Sequence, residues 1–175
     1  MNTPDFIITP ELPLHFDEIN LVTQTIFGPG MYARAAYRLR EGILPELDLS
    51  FVAIENGVII GTVRQTRISI GGQGALLLGP LGVVPTHKNC GIGKALMQAA
   101  ISAASTACDN GSAELILLVG DYAYYKPFGF KQVDPAQIIM PRPVDTGRVL
   151  ACELTNGALS RVKGEARRWQ RKSTK

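Results

Sequence analysis

The sequence predicts a mixed α/β (α+β) fold: a mostly antiparallel central sheet with flanking helices and one pair of parallel strands. Three observations predict it. Helix-spaced apolar residues come first, a strand meander with an Asn-Gly turn follows, and a helix then bridges two apolar strands. Helices followed by a meander do not make a repeated βαβ order, so a doubly wound sheet is excluded. The chain has 175 residues, 46% of them hydrophobic, which suits one domain with a sizeable core.

Phe6-Ile7-Ile8 is a short apolar run that predicts the first strand. Phe16, Ile19, Val22 and Ile26 form a helical stripe, and Asp17 and Glu18 sit where the helix dipole favours acids. Gly28-Pro29-Gly30 ends that helix. A second helical segment is expected from Met31 to Arg40. Leu49 to Ile54 and Val58 to Ile70 read as strands joined by Asn56-Gly57, a strong hairpin signal. After Gly71-Gly72-Gln73-Gly74, a third strand runs from Ala75 to Val84. It contains Gly79, Pro80 and Gly82, which predicts a bulge or a close approach to its backbone.

Ile92, Leu96, Ala99 and Ala103 mark a helix from Gly91 to about Ala107, with Asp109-Asn110-Gly111 as its stop. Ala113 to Val119 reads as a buried strand. The helix before it makes a crossover, so this strand should run parallel to the third. Tyr122 to Pro127 reads as a short helix or turn, Phe128 to Val133 as a strand and Pro135 to Pro143 as a loop. Val149 to Leu154 is expected to be the last strand.

Composition excludes several classes. No apolar run approaches the ~20 residues that span a bilayer, and the first residues lack the pattern of a secretory signal. Cys90, Cys108 and Cys152 are odd in number and far apart, which fits a reducing compartment. Two histidines offer no zinc-ligand spacing, so no metal is expected. A cytoplasmic protein is the expectation, with no membrane partner. The net charge of +3 is too small for a dedicated nucleic-acid binder. It is unevenly placed: residues 161–175 hold seven basic groups and one acid (+6), and the other 160 hold 11 and 14 (−3).

The segment Val84-Pro85-Thr86-His87-Lys88-Asn89-Cys90-Gly91-Ile92-Gly93-Lys94 carries the chemistry. A strand ends, a polar loop follows, and a helix starts at Gly-x-Gly. Free N–H groups and the helix dipole there make an anion site, bracketed by Lys88 and Lys94. A phosphate or pyrophosphate is the natural occupant, and a plain strand-to-helix turn is the alternative. A Walker A loop fails, because Lys88 and Ala95 stand where Gly and Ser/Thr are needed. A dinucleotide fingerprint fails at Leu96.

Lys88-Asn89-Cys90-Gly91-Ile92-Gly93 resembles motif A (Q/R-x-x-G-x-G/A) of the GNAT superfamily of N-acetyltransferases, with Lys in the first position. Val83-Val84-Pro85 matches the family's Val-x-Pro. Tyr125-Lys126-Pro127-Phe128-Gly129-Phe130 matches its Y-x-x-x-G-F signature. Gly120-Asp121-Tyr122-Ala123-Tyr124-Tyr125 resembles a branch of bacterial acetyltransferases with a GD-x-x-YY stretch. The resemblance covers roughly residues 5–135. A GNAT-like domain is expected over 1–160, and the charge count sets 161–175 apart as a basic tail, with the role of 136–175 unassigned.

The resemblance further implies acetyl-CoA as co-substrate, bound where the parallel strands splay apart. Leu81, Gly82 and Val83 would pair with the pantetheine arm. Lys88, Asn89, Cys90, Gly91, Ile92, Gly93 and Lys94 would hold the pyrophosphate. Tyr125 is then the expected general acid and Tyr124 a core residue. The third strand lacks the carboxylate that relatives often use as a base. Asp121 is a candidate for that role, with a helix N-cap as its alternative. A covalent route through Cys90 is set aside, because Cys90 lies at the phosphates. Cys108 and Cys152 read as core residues, His87 as an exposed loop residue, His15 as a helix-entry residue, and Glu55 and Glu114 as solvated charges.

The implied activity is transfer of an acetyl group to a primary amine of a small molecule or peptide by direct attack. Two rivals are a non-catalytic CoA-binding regulatory domain and an RNA-directed acetyltransferase using the tail. The tail otherwise reads as a solvated end. Many relatives dimerise, so a homodimer is an open expectation.

Overall fold

The computed structural model describes residues 5–108 and 113–170. The strands are β1 (Ile7–Pro10), β2 (Phe51–Glu55), β3 (Val58–Ile70), β4 (Gln73–Val83), β5 (Leu115–Val119), β6 (Lys131–Gln132), β7 (Ile138–Ile139), β8 (Val149–Glu153) and β9 (Gly164–Arg168). The helices are α1 (Phe16–Phe27), α2 (Ala35–Arg40), α3 (Ile92–Cys108), α4 (Tyr122–Tyr125) and α5 (Ala158–Arg161). The sheet order is β1-β2-β3-β4-β5-β8-β6, with β9 paired to β3 and β7. β4 and β5 are parallel, while the pairs β1-β2, β2-β3, β3-β4, β5-β8 and β6-β8 are antiparallel.

The hairpin at Asn56-Gly57 has positive φ at both residues (51° and 79°), as a twist-matched two-residue turn requires. The near-continuous apolar strands follow from a sheet covered on both faces. Leu76, Leu78, Ile116, Leu118 and Leu150 face one core with Leu96 and Met97 of α3. Leu77, Leu115, Leu117, Val149 and Ala151 face a second core. That second core is closed by Leu39 of α2, Ala158 of α5, Val162 and Ala166 of β9.

Five expectations are corrected. The helix expected from Met31 to Arg40 is split: a 3-10 turn spans Pro29–Ala33, and Arg34 is extended (φ −71°, ψ 146°) before α2 begins. Val149–Leu154 is not the last strand, since β9 pairs Ala166 with Ile70 of β3. Residues 161–170 of the basic tail are therefore not simply a solvated end; the rest of the tail lies outside the described residues. Arg161 pairs with Glu114 at 2.7 Å, Arg167 with Glu165 at 2.5 Å, and Arg168 donates to the Glu41 carbonyl at 3.1 Å. The strand expected over Phe128–Val133 is reduced to two residues, because a 3-10 turn occupies Lys126–Phe128. His87 is half-buried rather than exposed and meets Glu55 at 2.9 Å. The helix stop at Asp109-Asn110-Gly111 lies outside the described residues.

Candidate functional site

The site begins with the bulge in β4. Val63 faces Leu81 and Gln65 faces Leu78, so Gly79 and Pro80 together oppose Arg64 alone. Gly79 adopts φ 131°, a conformation that only glycine adopts freely. Before the bulge, Leu76 and Leu77 pair with Ile116 and Leu117 of β5, and no pair is registered beyond them. The two strands therefore part where the bulge bends β4. Leu81, Gly82 and Val83 keep their pairing to β3 on one edge. Among the described residues, no strand pairs with their other edge. α1 covers Gly82 closely: a Cβ there would lie 2.9 Å from Ile26 Cδ1 and 3.1 Å from Phe27 Cε2.

The parting strands open a cleft of about 650 Å³. Gly79, Pro80 and Leu81 form one wall and Leu118 to Asp121 the other. Tyr124 and Tyr125 of α4 line it, as do Arg34, Arg40 and Arg148. The Asp121 side chain accepts from the Ala123 N–H at 3.1 Å, so it caps α4. Asp121 is the only carboxylate lining the cleft among the described residues.

The two tyrosines have different surroundings. Tyr125 packs against the first core, with its ring 5.7 Å from that of Phe130 and 4.8 Å from that of Tyr124. A methyl group at Gly120 would overlap the Tyr125 ring, so the absent side chain at 120 makes room for it. Burial pushes the Tyr125 hydroxyl up to about 12, with the Tyr124 and Asp121 charges adding to the rise and Arg148 opposing it. Tyr124 is more exposed, and burial raises it as well. Its hydroxyl reaches the first turn of α3, where a Cβ on Gly93 would lie 2.8 Å away. Tyr124 is thus not a core residue; it stands between the cleft and the glycine loop.

The loop itself is built for its backbone. Lys88 is extended, and Asn89 (φ 64°) and Gly91 (φ 80°) turn the chain in the left-handed region. The first helical bond of α3 is from the Ala95 N–H to the Gly91 carbonyl, 3.0 Å. Among the described residues, none of the N–H groups from Asn89 to Lys94 donates within the protein. Such groups at a helix start attract an anion. Lys88 and Lys94 are exposed beside them, as is Cys90.

The structure thus gathers Leu81, Asp121 and Tyr125 in the cleft and sets the 88–94 loop next to it across Tyr124. Sequence reasoning missed the three cleft arginines. The run Arg34, Arg38, Arg40 was visible, but its face was not. No group of three or more His, Cys, Asp and Glu side chains suited to a metal exists among the described residues.

Residues 46–132 match the family model described as an acetyltransferase (GNAT) domain. No curated protein matches the sequence. A GNAT family N-acetyltransferase of Escherichia coli (YhbS), solved in complex with CoA, is 21% identical with a TM-score of 0.78, over 97% of this chain and 92% of that one. A GNAT family acetyltransferase of Brucella melitensis, in complex with acetyl-CoA, is 28% identical with a TM-score of 0.59, over 83% and 95%. The ribosomal-protein-S18-alanine N-acetyltransferase of Escherichia coli is 15% identical with a TM-score of 0.57, over 86% and 94%. Residues 46–132 are therefore similar to a GNAT acetyltransferase domain, within a chain that has the GNAT fold.

Proposed function

We propose that this protein is an N-acetyltransferase that moves an acetyl group from acetyl-CoA to a primary amine. One observation carries the reading: a glycine loop with free N–H groups adjoins a splayed cleft lined by Tyr124 and Tyr125. The residues fit acetyl-CoA. The 88–94 loop offers N–H groups and two lysines to a pyrophosphate, and the free edge of Leu81–Val83 offers backbone groups to pantetheine.

In this reading the amine nitrogen attacks the thioester carbonyl, and a new C–N bond forms. An N–H near Val83 stabilises the oxyanion. Collapse breaks the C–S bond and releases a thiolate, and the nitrogen gives up one proton. The sulfur gains one, so protons balance. Thiols have pKa values of ~8.5, so full transfer from a hydroxyl at about 12 is uphill. Tyr125 therefore acts mainly as a hydrogen-bond donor that stabilises the departing sulfur. Asp121 is tied to its cap, so the amine proton leaves to water. The absence of a side chain at Gly120 and the cap at Asp121 support the finer placement in the GD-x-x-YY branch.

The test is free-thiol release from acetyl-CoA with an amine panel. Release that depends on amine and produces the acetylated amine supports the reading. The non-catalytic rival is favoured by the capped Asp121, and tight CoA binding without thiol release across the panel would establish it.

Two further outcomes are expected. Gly91→Glu places a charge and a strained φ in the anion loop. Loss of one charge-assisted hydrogen bond, ~1.5–3 kcal/mol, corresponds to a CoA Kd about 10–100-fold weaker by calorimetry. Gly91→Ala, with strain but no charge, should fall between. Unchanged affinity in Gly91→Glu puts the pyrophosphate elsewhere. The pH profile is the second. kcat/KM should rise as the acceptor amine loses its proton and show no falling limb up to pH 10, because burial holds Tyr125 protonated until about 12. An ordinary tyrosine acid, pKa ~10, would be half lost by then. A decline centred near pH 9 assigns the acid elsewhere.

A further inference from the structure

Arg40 closes α2, and its guanidinium lies beside the β4 bulge, with Nη1 3.9 Å from where a Cβ on Gly79 would be. It lines the cleft that holds Tyr125. Its one identified contact of charge is a cation–π contact with the Tyr37 ring, 5.6 Å from the centroid. Among the described residues it has no ion pair and no side-chain hydrogen bond. Adjacent Glu41 is engaged by Arg38 at 2.7 Å. The charged groups that bear on Arg40 are Arg34 and Arg64, both positive, and Arg64 is held by Glu11. Burial, with these like charges, brings Arg40 down to about 10.

The cleft as a whole has the same bias. Arg34, Arg40 and Arg148 line it against Asp121 alone, and that carboxylate caps α4. Arg40 is half-buried, and a guanidinium partly removed from water without an anion is costly unless something supplies one. Its planar fork matches a carboxylate in a bidentate pair. A cationic acceptor such as a lysine side chain flanked by basic residues would meet repulsion here.

Resting on the acetyltransferase reading above, we propose that the amine acceptor carries its own carboxylate, which pairs with Arg40 while the amine faces the acetyl group. The acceptor class is thus an amino acid or a peptide with an acidic end. Arg40 serves as a specificity residue. It holds one end of the acceptor, and the transfer chemistry remains at the thioester.

The experiment compares matched pairs as acceptors, at equal concentrations of free amine: β-alanine with β-alaninamide, 4-aminobutyrate with 4-aminobutanamide, and aspartyl with asparaginyl peptides. Thiol release and acetylated product are both measured. For the wild type, kcat/KM should favour the acid at least about tenfold in one or more pairs. Arg40→Gln should bring that ratio near one, mainly by raising the acceptor KM, and Arg40→Lys should retain part of it. If Arg40→Gln does not fold, the wild-type ratio and Arg40→Lys decide.

Amides that equal or exceed their acids in every pair overturn the inference while leaving the acetyltransferase reading intact. So does an Arg40→Gln protein that keeps the full ratio, or one that loses CoA affinity with its acceptor ratio unchanged. The latter would assign Arg40 to a cofactor phosphate. Tight CoA binding with no thiol release from any amine overturns the acetyltransferase reading, and this inference with it.

Discussion

Tyr125→Phe is expected to lower kcat about 10²–10³-fold, within the usual range for loss of one preorganised hydrogen-bond donor to a developing anion, with little change in KM for acetyl-CoA. The prediction isolates the hydroxyl, because the ring should stay in place. Phe130 and Tyr124 meet it edge-on, and the bare Gly120 backbone lies against its side. Gly120→Ala is the complementary change. It keeps the hydroxyl but adds a methyl where the ring now lies, so the ring must shift. A displacement of about 1 Å can cost 10²-fold, so kcat should again fall with the hydroxyl still present. Tyr124→Phe should act differently. Its hydroxyl lies at Gly93 on α3, so its loss should raise KM for acetyl-CoA more than it lowers kcat. Steady-state kinetics of the three variants check the assignment. A Tyr125→Phe enzyme within threefold of wild type, beside a Tyr124→Phe enzyme down a hundredfold, would move the acid to Tyr124.

Features set by local chemistry were legible in the sequence. Asn56-Gly57 requires a hairpin wherever it stands between two apolar runs. Gly79 and Pro80 inside an apolar strand foretold the bulge that parts β4 from β5. The Gly-x-Gly before an apolar helical stripe located the start of α3 within a residue. What stayed hidden depends on distant pairing. Gly164–Arg168 has only one buried residue, Ala166, and no apolar run. It is a strand because Ile70 and Ile138, far away in sequence, offer backbone partners. Arg34, Arg40 and Arg148 look like ordinary surface arginines in the sequence. Only the folding of the 28–40 segment and the approach of the 144–148 segment toward β5 place them in one cleft. The split at Arg34 was hidden for a related reason: Ala and Leu favour a helix throughout, and tertiary contacts override that preference.

The second large effect concerns stability. Glu11 follows β1 and is wholly buried, and it accepts two bonds from Arg64 of β3: Nε at 2.9 Å and Nη2 at 2.5 Å. Arg64→Ala should cost about 3–5 kcal/mol, because it leaves an ionised carboxylate in the interior without a partner. Glu11→Ala should cost less. Arg64 is 16% exposed, lies over the Phe16 ring at 5.3 Å and reaches Asn20 Oδ1 at 3.5 Å, so it keeps contacts and some access to water. The double change Glu11→Leu with Arg64→Met should recover most of the loss, since apolar side chains of similar size can replace a buried pair. Urea denaturation at pH 7 checks the order: Arg64→Ala weakest, Glu11→Ala intermediate, the double variant near wild type. An Arg64→Ala loss below about 1 kcal/mol would equate this pair with an exposed surface pair. The position gives the effect its importance. Arg64 is the residue that Gly79 and Pro80 jointly oppose, so the pair ties the strand behind the bulge to the end of β1. The cleft depends on a bend in β4, and that bend is supported by a strand fixed at this point.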